Sequence, residues 1–176
     1  TADKSADKPA PDTTDDNNQP EFINASELKE GGKLNDFIGI MKLIHTPGES
    51  FGIGLSGEFP VTGELYYDDY YGTFVLNVVE MDETIPGIIY EVNNSEYQLN
   101  PPQGAYFMEG NNLDLLSLQY GHDLEPELSE GIKFAVDAVI NEYAFYTESG
   151  TEPSWTCVIT EVSRVEPNGT INDFAD

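Results

Sequence analysis

The chain predicts an all-β or mostly β fold behind a disordered acidic tail, and three observations carry that prediction. Ile132, Phe134, Val136, Ala138 and Ile140 alternate with Lys133, Ala135 and Asp137, the period of two expected of a half-buried strand. Elsewhere short apolar runs stop at Gly, Pro, Asn and Asp, which is strand-and-turn punctuation. Before Phe22 there is no aromatic or large aliphatic side chain. Such a segment buries too little surface to offset its ordering entropy. The predicted organisation is therefore a disordered acidic tether over 1–21 and a single folded β-rich domain over 22–176.

The elements follow in order. Ser26 to Glu30 has the composition of one helical turn, stopped by Gly31-Gly32. Phe37 to Ile44 is an apolar strand ending near Pro47-Gly48, and Phe51 to Leu55 is a short glycine-broken piece. Phe59 to Tyr67 and Thr73 to Val79 flank Asp68-Asp69-Tyr70-Tyr71-Gly72, a hairpin connection. Phe59, Val61 and Leu65 share parity with Tyr67, which puts Tyr67 toward the core and Tyr66 outward. Ile88 to Val92 and Leu113 to Tyr120 are further predicted strands. Ile132 to Tyr146 is a strand with a bend near Asn141, and Trp155 to Val162 returns along it. Helical formers between Phe134 and Tyr146 make a helix the rival there, but the alternation and the aromatic ending favour a strand. Cys157, the single cysteine, lies in Ser154-Trp155-Thr156-Cys157-Val158-Ile159 and is expected to be a buried thiol.

Charge excludes whole classes of partner. Seven Lys and Arg face 33 Asp and Glu, for a formal net charge of −26. No Lys or Arg occurs from Leu43 to Ile132. Nucleic acid needs a basic footprint, and anionic membrane surfaces are disfavoured in the same way. Cations, basic peptides and neutral glycans remain open. No stretch approaches the roughly 18 consecutive apolar residues of a transmembrane helix. Sequons begin at Asn24, Asn93 and Asn168, and they matter only on a eukaryotic secretory route.

Two resemblances add expectations. The polar Thr-, Asp- and Pro-rich start resembles the spacer that follows the lipid-modified cysteine of bacterial lipoproteins. That resemblance implies an exported chain, lipid-anchored at the cell surface or in the periplasm, touching membrane only through an anchor outside these residues. Leu128-Ser129-Glu130-Gly131-Ile132-Lys133-Phe134-Ala135-Val136 resembles the turn-into-strand of OB-fold domains. Phe59-Pro60-Val61-Thr62-Gly63-Glu64-Leu65 followed by Thr73 to Val79 is similar to the opening hairpin of that fold. This second resemblance spans 55–166 and implies a small OB-like barrel, with an open β-sandwich as the alternative.

Catalytic motifs are missing from the sequence. There is no G-x-S-x-G elbow, H-E-x-x-H, C-x-x-C or P-loop. His45, His122 and Cys157 have no spacing that groups them, and the apolar run around Cys157 disfavours a thiolate. No catalytic residue is assigned. Tyr66, Asp68, Asp69, Tyr70 and Tyr71 form the candidate ligand surface, because tyrosines pair apolar faces with a polar handle. A looser Ca²⁺ site is conceivable from Asp123, Glu125, Glu127 and Glu130, although no EF-hand pattern supports it. The expected function is a non-catalytic cell-envelope binding or adaptor module for an unknown protein, peptide or glycan. An extracellular glycan-binding or enzyme accessory domain is the alternative, followed by a carboxylate-dependent hydrolase.

Overall fold

The computed structural model describes residues 22–81, 85–101, 104–108 and 112–170. The predicted tether, 1–21, lies outside the described residues. In chain order the elements are β1 (Phe22–Asn24), β2 (Gly39–Thr46), β3 (Ser50–Asp68), β4 (Thr73–Met81), β5 (Gly87–Val92), β6 (Ser95–Leu99), β7 (Gly104–Met108), α1 (Asn112–Tyr120), α2 (Glu125–Ser129), β8 (Ile132–Glu148) and β9 (Ser154–Thr170). A 3₁₀ turn over Ala25–Glu27 takes the place of the predicted helical turn.

The large sheet runs β2-β3-β4-β7-β9-β8, and β3 also pairs with β8. Stepping from β3 through β4, β7, β9 and β8 therefore leads back to β3. The seam between β7 and β9 is slight, two parallel pairs at Phe107↔Thr156 and Met108↔Cys157. The sheet folds over into a partly open, sandwich-like form without sealing into a closed barrel, and it is compatible with an OB-like domain. A second sheet, β1-β5-β6, packs against it, with Tyr90 stacked on Phe51 at 4.6 Å.

Alternation builds the core as predicted, with one shift. Phe134, Val136, Ala138 and Ile140 point inward from β8, and beyond Asn141 the buried set becomes Tyr143, Phe145 and Thr147. The ladder to β9 slips between Ile140 and Glu142, so one extra residue reverses the parity. On β3, Phe59, Val61 and Leu65 are buried. Tyr67 follows their parity but is only half-buried, its ring 5.3 Å from that of Phe74. Cys157 is 1% exposed, a core thiol as expected.

Three predicted strands are corrected. Phe51–Leu55 and Phe59–Tyr67 are one strand, β3, of 19 residues. The small residues between and within them admit close neighbours; a Cβ on Gly52, for example, would come within 2.9 Å of the Tyr146 ring. Leu113–Tyr120 is helix, not strand. Leu116 is fully buried and Leu113 and Tyr120 pack on the core, while Leu118 is 79% exposed. That is helical spacing, and alternation would have put Leu116 and Leu118 on one face. α1 lies against β9, where the buried Asn112 side chain donates to the Cys157 carbonyl and accepts from the Ile159 N–H, both at 2.8 Å.

Candidate functional site

The β3–β4 turn is built by its own sequence. Asp68 closes it with a side-chain oxygen that accepts the N–H groups of Tyr70 and Tyr71, at 2.9 and 3.1 Å. Gly72 takes a positive φ of 65° and returns its N–H to the Asp68 carbonyl, a backbone state that glycine enters without a Cβ penalty. The Asp68 carboxylate is thus engaged in the turn, while Asp69 is exposed. Tyr70 and Tyr71 stand at the tip, 82% and 51% exposed. Their rings meet edge to face, centroids 4.9 Å apart at 90°.

The β8–β9 turn lies beside this tip. The Tyr71 hydroxyl donates to Glu152 at 2.9 Å across a sequence separation of 81. At the end of β8, the Tyr146 hydroxyl donates to Glu148 at 2.7 Å. Each carboxylate raises the pKa of the phenol that donates to it, since the phenolate would face a negative neighbour and lose the bond. The seam explains this proximity: the Phe107 backbone pairs with both Val75 and Thr156, drawing the start of β4 toward the start of β9.

Tyr66 has different surroundings from the pair. It is half-buried with Lys133 Nζ 5.7 Å from its ring centroid, and Lys133 is itself paired with Glu64 at 3.0 Å. Burial first, then Asp68 and Glu64, push the Tyr66 phenol up. Of the predicted ligand residues, the structure brings Tyr70, Tyr71 and Asp69 to one exposed surface, uses Asp68 to hold it, and engages Tyr66 beside Lys133.

The four carboxylates considered for Ca²⁺ do not form a cage. Asp123 accepts the Glu125 N–H at 3.0 Å ahead of α2. Glu127 is bound to His122 at 2.9 Å. Glu130 is exposed at the end of α2. Among the described residues no group of three or more His, Cys, Asp and Glu is arranged for a metal ion. His45, His122 and Cys157 have separate surroundings: His45 meets Phe51 edge-on, His122 pairs with Glu127, and Cys157 is in the core.

Sequence reasoning missed a groove elsewhere on the sheet. It has a volume of about 320 Å³ and is lined by Thr62, Glu80, Asp137, Glu161 and Ser163 among others. Asp137 accepts two bonds from Arg164, at 2.6 and 2.9 Å, and one from Thr62 at 3.0 Å. The Arg164 hydrogen bonds hold its carboxyl below the usual range. That is the wrong direction for a general acid at neutral pH. Asp137, Thr62 and Arg164 are 75 and 27 residues apart in the chain, so only the sheet register joins them.

No protein-family model, no curated protein and no solved structure matches the chain.

Proposed function

We propose that the domain is a non-catalytic binding or adaptor module of the cell envelope, holding its ligand across the β3–β4 and β8–β9 turns. The observation that carries this reading is the exposed Tyr70–Tyr71 pair, fixed in place by the bond from Tyr71 to Glu152. Large exposed aromatics lose little conformational freedom on binding and offer wide apolar faces, which suits them to recognition. In OB-like domains the loops joining the first two strands and the last two strands border the binding face. The two turns here correspond to those loops. A net charge of −26 argues against the oligonucleotides that many such domains take. The polar tail fits a tether, and its likeness to a lipoprotein spacer favours an exported, lipid-anchored setting. The exposed ring pair also suits an extracellular glycan-binding role, which is the second reading.

The test is comparative. Wild type and a Tyr70→Ala/Tyr71→Ala variant are screened against neutral glycans and peptides by NMR shift perturbation. The variant should keep its fold: truncating the exposed Tyr70 ring costs about 0.5 kcal/mol, and losing the bond from Tyr71 to Glu152 about 1 kcal/mol more. Ligands held by the wild type should be lost by the variant. Unchanged binding in the variant sinks the site. Fractionating cells that express the natural gene tests the envelope setting independently.

A further inference from the structure

We infer that the surface formed by the β3–β4 and β8–β9 turns takes a cationic side chain, an arginine or lysine presented by a protein partner. The inference rests on the binding reading above and names the class of ligand.

Two independent features point to a cation. The first is hydrogen-bond polarity. The Tyr71 and Tyr146 hydroxyls are already donated to Glu152 and Glu148, and the Thr151 hydroxyl to the Glu148 carbonyl. Apart from the Tyr70 hydroxyl, what the surface still offers is acceptor capacity: the remaining lone pairs of the Glu152 and Glu148 carboxylates and the exposed carboxylate of Asp69. Sugars carry hydroxyls that both donate and accept, so such a surface serves only half of their capacity. Ammonium and guanidinium groups donate only, and match it fully. The second feature is charge. Residues 43–132 and 134–163 contain no Lys or Arg, so both turns lie in stretches without a cation of their own. The ring of Tyr70, 82% exposed, adds the negative quadrupole that attracts cations. The domain already seats one of its own cations this way, with Lys133 over Tyr66 at 5.7 Å. Arginine fits best, because its planar fork can stack on a ring while donating to a carboxylate.

The test must separate this surface from the general attraction of an acidic protein for polycations. The probe is a blocked hexapeptide with two arginines, titrated into the protein at about 0.15 M salt, where fields beyond roughly 8 Å are screened. A peptide with citrulline at both positions keeps the shape and removes the charge. Tyr70→Ala/Tyr71→Ala leaves the net charge unchanged. The arginine peptide should bind the wild type, and the double variant should weaken it by about tenfold, within the range of cation–π contacts. The citrulline peptide should bind at least as weakly. Equal binding to wild type and variant would mean bulk electrostatics alone, and equal binding of both peptides would mean no role for the charge; either result overturns the inference, as does failure of the arginine peptide to bind. A neutral disaccharide that binds in a tyrosine-dependent way when the arginine peptide does not would leave the binding module standing and remove only its cationic ligand.

Discussion

Asn112 shows how one side chain can hold an element together. β7 covers only two positions of β9, so the backbone groups of β9 beside the seam need other partners. The Asn112 amide supplies both halves of a strand-like pairing, donating to Cys157 and accepting from Ile159, and it is 2% exposed. Replacing it with Ala removes both of these bonds at a buried site. Asn112→Ala should therefore destabilise the domain by about 2–3 kcal/mol, measured by urea denaturation. Because the Cys157 thiol sits at the same point of β9, it should also label faster with thiol reagents in the variant. Little loss of stability would show that water replaces the amide without difficulty. This residue was invisible in the sequence, where nothing sets Asn112 apart from Asn111 and the run after it reads as a strand. Tyr70 and Tyr71 were legible because the Asp-Asp-Tyr-Tyr-Gly turn is local. Glu152 was not, since only closure of the sheet brings it to Tyr71.

At the scale of elements, local periodicity gave most of the strands and failed where tertiary packing intervened. The alternation from Ile132 to Ile140 survives in β8, and the predicted bend at Asn141 is the bulge that reverses it. Leu113 to Tyr120 was too short and too apolar for periodicity to separate strand from helix, and docking of Leu116 against the core settled it as α1. β6 was overlooked because Ser95-Glu96-Tyr97-Gln98-Leu99 is exposed at all positions but the last. Its hairpin with β5 is nevertheless well specified. Asn93 and Asn94 both adopt positive φ, 56° and 57°, the backbone of a two-residue turn whose twist matches the flanking strands. Asparagine tolerates that region better than other residues with a Cβ, and a β-branched side chain does not. Asn94→Gly should be neutral or stabilising by up to about 1 kcal/mol, whereas Asn94→Val should cost about 1–2 kcal/mol. Thermal melts of the two variants read this directly, and equal stability would mean the hairpin contributes nothing to the cooperative unit.

For the whole molecule, the distribution of charge matters as much as its total. Lys133 and Arg164 answer Glu64 and Asp137 across the β3–β8–β9 ladder, and Lys29, Lys33 and Lys42 lie within one short stretch of sequence. The strands of the small sheet contain no Lys or Arg. Glu91 and Glu96 stand directly opposite each other in the β5–β6 register, an arrangement that repels. Salt screens such repulsion, the Debye length falling from about 30 Å at 0.01 M to about 8 Å at 0.15 M. The melting temperature should therefore rise by a few degrees over that range, on the order of 2–4 °C for each kcal/mol of repulsion relieved. Glu96→Gln tests whether the hairpin carries part of the effect: it should raise the melting temperature in dilute buffer and much less at 0.15 M. An equal gain at both concentrations would assign it to packing. Ca²⁺ at matched ionic strength is the remaining control. Simple screening predicts the same melting temperature in Ca²⁺ as in Na⁺, and a clear excess with Ca²⁺ would show that the domain gathers carboxylates around a specific cation in solution.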